Sequence, residues 1–106
     1  MPNTLVIIPV RGSDAQRNGS PITLLGKPLL AYTIEAALNS PVVFRTIVTT
    51  DNPDLRKLAI DLGAEAPFLR PIELAEPGIS LDHVLQHCFL WLAEHEKYHP
   101  DVVIPL

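Results

Sequence analysis

At 106 residues, with 47% hydrophobic residues and a formal net charge of -4, the chain is too apolar for a disordered tail and large enough to bury a core as a single domain. It lacks the basic face that general attraction to nucleic acid or anionic membrane requires, so affinity for phosphate has to come from a local group of donors. Met1-Pro2-Asn3-Thr4 carries no basic region ahead of the first apolar run, and no uncharged stretch approaches the ~18 residues of a membrane span; a cytoplasmic protein without signal peptide is expected.

Leu5-Val6-Ile7-Ile8, ended by Pro9, predicts a strand buried on both faces. Val10 to Pro28 contains Gly12, Ser13, Asn18, Gly19, Ser20, Pro21 and Gly26 and reads as a loop. It is longer than an ordinary connection between strand and helix, which marks it as a functional candidate. Leu30, Ile34, Ala37 and Leu38 fall at helical spacing, so Leu29 to Asn39 is an amphipathic helix. Thr46 to Thr50 is a second strand. Asn52 then suits an N-cap and Pro53 the first helical position, with Leu55, Leu58, Ala59 and Leu62 as the buried stripe. Gly63 is placed to end that helix in the left-handed conformation. Ala64 to Phe68 reads as a short third strand, followed by a Pro-rich link from Leu69 to Gly78.

Ser80 caps a long helix with Leu81, Val84, Leu85, Cys88, Phe89 and Leu92 on one side, and Asp82 in its first turn suits the helix dipole. Cys88, the sole cysteine, has no internal partner and is expected as a buried thiol. Val102 to Ile104 predicts a further buried strand. The prolines sit at element edges, as punctuation of a folded chain. The order of elements specifies an α/β fold: a three-layer arrangement with a mostly parallel sheet and helices on both faces. Ligands of such sheets bind beyond the carboxyl ends of the strands, where the long loop, Asp51 and the end of the last strand lie. That last strand has no successor, so residues 1–106 are expected to be the N-terminal half of a domain, cut off after about four strands. Its open edge offers itself to a second copy as a homodimer contact.

A phosphate site needs closely approaching backbone N–H groups, a hydroxyl and a cation. Gly12, Ser13, Arg11 and Arg17 supply these, although Arg-Gly-Ser alone also fits a polar surface loop, and no Walker pattern is present. Lys27 in Gly26-Lys27-Pro28 reads as a solvent-facing lysine at a turn. Asp51 suits a ligand, a metal or a structural cap beside Asn52. Arg70, taken alone, is a surface arginine. His83 and His87 have the four-residue spacing of a two-histidine metal site, but no acidic partner completes a recognisable ligand pattern, so no protein metal site is assigned. His95 and His99 suit the negative end of the helix, and Trp91 suits packing or an interface. No Ser/His/Asp or Cys/His nucleophile arrangement is present in this order.

Taken together, the segments are more specific. Val6-Ile7-Ile8-Pro9-Val10-Arg11-Gly12-Ser13 and Leu24-Leu25-Gly26-Lys27-Pro28-Leu29-Leu30-Ala31-Tyr32-Thr33-Ile34-Glu35-Ala36-Ala37 resemble the start of the acylneuraminate cytidylyltransferases (CMP-sialic acid synthetases). The resemblance continues through Ile47-Val48-Thr49-Thr50-Asp51, Gly63-Ala64-Glu65, Pro67-Phe68-Leu69-Arg70-Pro71 and Glu73-Leu74-Ala75, and Ser80 and Asp82 stand where that family has a serine and often an aspartate. It implies a Rossmann-like sheet of the nucleotide-diphospho-sugar transferase type. It also implies an enzyme that joins CTP to a sialic acid-like sugar acid and releases pyrophosphate, with Mg²⁺ neutralising phosphate charge. By the same resemblance Arg11 and Ser13 of the first loop, Arg70, and Ser80 would hold the nucleotide; Gly12 and Arg17 join them from the phosphate-site reading of the loop. CTP and a sugar acid would be the partners, with no nucleic acid or membrane.

The departures from that pattern carry information. The family loop usually reads Arg-Gly-Gly-Ser-Lys-Gly with a further Lys-Asn; here Ser13 is followed by Asp14-Ala15, and Gly19-Ser20 stand about where the Lys-Asn would be. Replacing a phosphate-binding lysine by aspartate removes a contact of about 1.5–3 kcal/mol, at least a tenfold loss of affinity unless Arg17 compensates. Glu76-Pro77-Gly78 occupies the segment where the family's acidic residue is displaced. The family's Gln-Pro-Thr-Ser-Pro segment and metal-binding aspartates have no counterpart in residues 1–106, so the usual Mg²⁺ ligands are not expected among them. Three readings are open: the N-terminal half of a cytidylyltransferase that is inactive on its own, a degenerate non-catalytic nucleotide-binding or interaction module, or a nucleotidyltransferase using another nucleotide.

Overall fold

The computed structural model describes residues 4–11, 16–17, 20–21, 23–74, 76 and 78–106. Strand β1 is Thr4–Val10. Two small hairpins follow, β2 (Gln16–Arg17) with β3 (Ser20–Pro21) and β4 (Thr23–Leu24) with β5 (Lys27–Pro28). Helix α1 is Leu29–Leu38, strand β6 Arg45–Thr50 and helix α2 Pro53–Asp61. A 3₁₀ turn at Ile72–Leu74, helix α3 at Leu81–Glu96 and strand β7 at Val102–Pro105 complete the described elements.

Three strands form the sheet in the order β6-β1-β7, with both neighbours parallel to β1. A central strand covered on both sides has to be apolar at successive positions, which is why Leu5, Val6, Ile7 and Ile8 are all buried. Their side chains alternate between two cores. Val6, Ile8 and Val48 pack with Leu30, Ile34 and Ala37 of α1 and Leu55 and Ala59 of α2. Leu5, Ile7 and Ile47 pack on the other face with Phe68 and with Cys88 and Leu92 of α3. The three-layer α/β expectation is therefore met, with α1 and α2 on one face and α3 on the other.

The helix ends follow their local chemistry. Asn52 Oδ1 accepts from the N–H groups of Asp54 at 2.9 Å and Leu55 at 3.0 Å, and Pro53 opens α2 without wasting a donor. Gly63, at φ +101°, follows the end of α2 in the left-handed region. Ser80 Oγ accepts from His83 N–H at 3.4 Å to cap α3, whose far end turns through Lys97 at φ 52° so that Tyr98 N–H reaches the Leu92 carbonyl at 3.2 Å.

Four expectations need correction. The third strand, Ala64 to Phe68, is reduced to an isolated parallel bridge between Ile47 and Glu65. Glu65 N–H donates to Thr46 O at 2.9 Å and Val48 N–H to Glu65 O at 2.8 Å. The next donor in that ladder would be residue 67, a proline with no N–H, so the pairing stops. The stretch from Val10 to Pro28 is not one plain loop, since its described parts include both hairpins. The second hairpin turns through Leu25 and Gly26 at φ 54° and 77°, the paired left-handed positions of a type I′ turn. Strand β7 is largely exposed rather than buried, with Val102 at 44%. Finally, Leu81 is exposed and sits at the mouth of a pocket, while Val84, Cys88 and Leu92 carry the buried stripe of α3.

Candidate nucleotide site

A pocket of about 260 Å³ opens at the carboxyl end of β1. Pro9 and Arg11 line it from the strand end, Arg70 and Leu74 from the segment that follows β6, Glu76 and Gly78 from the link, and Ile79, Leu81 and Val84 from the entry to α3. It therefore lies where parallel α/β sheets bind ligands, with the first turn of a helix in its wall. The positive end of that helix dipole and two arginines thus stand among its lining elements, a combination whose charge suits an anion. Glu76 supplies a carboxylate on the same rim.

Arg70 departs from the surface arginine expected of it in isolation: only 5% of it is exposed. Its Nη2 donates to the Thr49 carbonyl at 2.6 Å, its Nε to Thr49 Oγ1 at 3.3 Å and its Nη1 to the Leu74 carbonyl at 3.5 Å. Its own N–H donates to the Thr50 carbonyl at 2.8 Å, so the segment rejoins the line of β6 beyond the proline interruption. Arginine keeps its charge when buried, and neutral oxygen acceptors of this kind satisfy its donors.

Arg11 is half-buried and shares the pocket with Arg70, so the structure brings these two sequence candidates together. Gly12, Ser13 and Asp14 lie outside the described residues, as does the side chain of Arg17, which belongs to β2. Ser80 is exposed and caps α3 between the pocket-lining Ile79 and Leu81. Lys27 takes a different place from the solvent-facing one expected. Its ammonium pairs with Glu35 and stands 4.7 Å from the Tyr32 ring centroid, while Tyr32 OH donates to the Leu24 carbonyl at 2.8 Å. That clamp ties the second hairpin to α1. Asp51 is half-buried just past β6, beside the Asn52 cap.

On α3, His83 is exposed and His87 half-buried, its ring edge-on to Phe68 with centroids 5.0 Å apart. Burial first, and the Arg70 cation second, push the His87 pKa below its ordinary value. Among the described residues no three His, Cys, Asp or Glu side chains gather to hold a metal ion. Trp91 packs, as expected, against Phe68 at 5.1 Å, and stacks on His95 at 4.4 Å. Cys88 is fully buried, and burial pushes its thiol up to about 12, which leaves it inert as a nucleophile. The partners missed from sequence are Thr49 and Thr50. Their signal is available in retrospect: two threonines follow the apolar pair Ile47-Val48 at the carboxyl end of β6.

Residues 5–76 match the family model for Cytidylyltransferase. The chain is 41% identical over 95 residues to N-acylneuraminate cytidylyltransferase of Escherichia coli, an alignment covering 89% of this chain and 22% of that protein. It is 33% identical over 99 residues to pseudaminic acid cytidylyltransferase of Campylobacter jejuni, covering 92% of this chain and 43% of that protein. It is also 37% identical over 82 residues to CMP-N,N'-diacetyllegionaminic acid synthase of Legionella pneumophila, with coverages of 76% and 35%. The chain thus spans less than half the length of each of these relatives. The match runs from β1 through Arg11, β6 and Arg70 to the pocket rim at Glu76, and on that ground the chain belongs to the cytidylyltransferase family.

Proposed function

We propose that this chain supplies the CTP-binding side of an enzyme that activates a sialic acid-like sugar acid. In that reaction a sugar hydroxyl oxygen, losing its proton to solvent, forms a bond to the α-phosphorus of CTP, the bond from that phosphorus to the oxygen bridging to the β-phosphorus breaks, and pyrophosphate leaves with that bond's electron pair. Little covalent chemistry falls to the protein, so its residues act by positioning and by electrostatic stabilisation. The observation that carries this reading is the pocket at the carboxyl end of β1, where Arg11 and the buried Arg70 meet the first turn of α3 in a family-matched segment. Arg11, Gly12, Ser13, Arg17, Arg70 and Ser80 are the proposed nucleotide-binding residues, within a single partial domain spanning residues 1–106. The relatives' names specify three different acids, which supports the class of acceptor and leaves the acid itself open.

Mg²⁺, which the family commonly uses, would neutralise triphosphate charge. Among the described residues, acidic, histidine and cysteine side chains do not gather into a site for it. No described helix is long and apolar enough to cross a membrane, and the reading places the protein with its nucleotide in the cytoplasm.

A thermal-shift titration with CTP, UTP, ATP and GTP, each with Mg²⁺, tests the reading. At a hundredfold excess over Kd, CTP should add about 2.7 kcal/mol of stability, a shift of several degrees that the other nucleotides do not match. Equal shifts for all four, or none, would sink it. Binding without turnover is expected of this chain alone, and measurable CMP-sugar formation would overturn that. The second reading, a non-catalytic module, is favoured by Asp14 in place of the family's lysine. It is preferred if an Asp14→Lys variant gains CTP affinity that the wild type lacks.

A further inference from the structure

The end of β6 is chemically odd. Thr49 and Thr50 are both fully buried in a strand whose preceding residues, Ile47 and Val48, are apolar. A buried hydroxyl has to find a partner, and valine has nearly the same shape and suits a strand equally well. What the hydroxyl of Thr49 adds is an acceptor for Arg70. Together with its own carbonyl, it meets the Nε and Nη2 edge of the guanidinium, at 3.3 Å and 2.6 Å. Two acceptors on one edge of a planar group fix its plane as well as its place. Thr50 fixes the other end of the same residue, its carbonyl accepting from Arg70 N–H at 2.8 Å. Adjacent residues of one strand therefore hold Arg70 by head and backbone, and Arg70 is one of the residues that line the pocket.

We propose that Thr49 is the positioning residue for Arg70, orienting the guanidinium in the pocket before a nucleotide arrives; this rests on the CTP reading above. A long cationic side chain has many rotamers, and ordering it on binding opposes association. Ordering it during folding removes that opposition. Thr49 touches no ligand in this scheme. It acts through Arg70, and its effect is on affinity rather than on net charge.

Three forms of this chain test the assignment: wild type, Thr49→Val, which keeps the shape and deletes the hydroxyl, and Thr49→Ser, which restores it. In calorimetric titration with CTP, Thr49→Val should bind roughly 5- to 20-fold more weakly, and Thr49→Ser should stay within about twofold of wild type. A second arm needs no ligand. In nitrogen-edited NMR spectra the wild type and Thr49→Ser should show a slowly exchanging Arg70 Nε–H signal that Thr49→Val loses. If Thr49→Val fails to melt cooperatively, Thr49→Ala replaces it under the same criteria. Equal CTP affinity in Thr49→Val and wild type overturns the proposal while leaving the CTP reading intact. So does weak binding by Thr49→Ser, which would assign the loss to packing. If the wild type shows no preference for CTP, the functional reading fails, and this proposal fails with it, before any variant is compared.

Discussion

His87 illustrates how a single residue reports on its surroundings. Its Nδ1 is buried and finds no hydrogen-bond partner among the described residues, its ring lies against Phe68, and the Arg70 cation acts on it. All of this favours the neutral imidazole, so the folded protein takes up a proton at His87 less readily than the unfolded chain does. The unfolded state then binds more protons as the pH falls below about 6.5, and stability declines on acidification through that region until the folded-state value is passed. Urea midpoints measured from about pH 7.5 to about pH 5.5 should therefore fall in the wild type and fall less in His87→Phe. The variant keeps a ring against Phe68 and deletes the unpaired nitrogen, so at neutral pH it should be no less stable than wild type. Identical pH slopes would refute this account of His87. None of it was legible in the sequence, where His87 stood out only for its spacing from His83. The burial of Arg70 was hidden for a related reason: besides the Leu74 carbonyl, its acceptors are a carbonyl and a hydroxyl of Thr49, contributed from another element of the chain. Composition and periodicity carry no trace of such a bond.

At the level of elements, the chain is most readable where one residue's backbone preference decides the outcome. The Asn52 cap, Pro53 and Gly63 were all legible, because each acts within a few residues of itself. Gly63 also carries a testable cost. At φ +101° a side chain is strained, and a Cβ there would meet Leu38 Cδ1 at 3.2 Å. Gly63→Ala should cost more than about 1 kcal/mol, lowering Tm by roughly 4–8 °C for each kcal/mol in a domain of this size. Gly26→Ala is the comparison: at φ +77° it bears the backbone strain, but nothing lies within 4 Å of its added Cβ. Differential scanning calorimetry should rank Gly63→Ala as the more damaging, and the reverse order would refute the packing part of the argument. The hairpin around Gly26 was not legible. Its turn places Leu25, rather than the usual Asn or Asp, at φ 54°, and the clamp from Tyr32 and Glu35 that ties it to α1 comes from the following helix. The missing third strand was legible in principle, since Pro67 was in view and removes the donor its ladder needs.

For the molecule as a whole, the alternation of strands and helices was enough to indicate a parallel sheet with two covered faces, and a pocket does open at the carboxyl edge to which it pointed. The degree of cover was not: a run such as Val102-Val103-Ile104 signals a strand without saying what lies beside it. Nor did it reveal the joint at the opposite, amino edge of the sheet. There Arg45, at the start of β6, donates to Glu65 from Nε at 2.8 Å and from Nη2 at 2.5 Å, and pairs through Nη1 with Glu96 at 3.1 Å. Its guanidinium carbon also stands 4.4 Å from the centroid of the Tyr98 ring. One side chain thus connects the sheet, the bridging segment after α2 and the end of α3, which lies on the other face. The Arg45 side chain is only 13% exposed but its carboxylate partners are 46% and 35% exposed, so water and salt weaken the pairs without abolishing them. Arg45→Met, which keeps the stem and deletes the charge, should cost about 1–2 kcal/mol in urea unfolding at low ionic strength. The difference from wild type should shrink in ~0.5 M NaCl, where screening already weakens the native pairs. Because this joint lies at the other end of the strands from Arg11 and Arg70, the same variant should bind CTP as wild type does under conditions where both are folded. A stability loss insensitive to salt would assign Arg45 to packing alone, and a loss of CTP affinity would show that the two edges of the sheet are coupled.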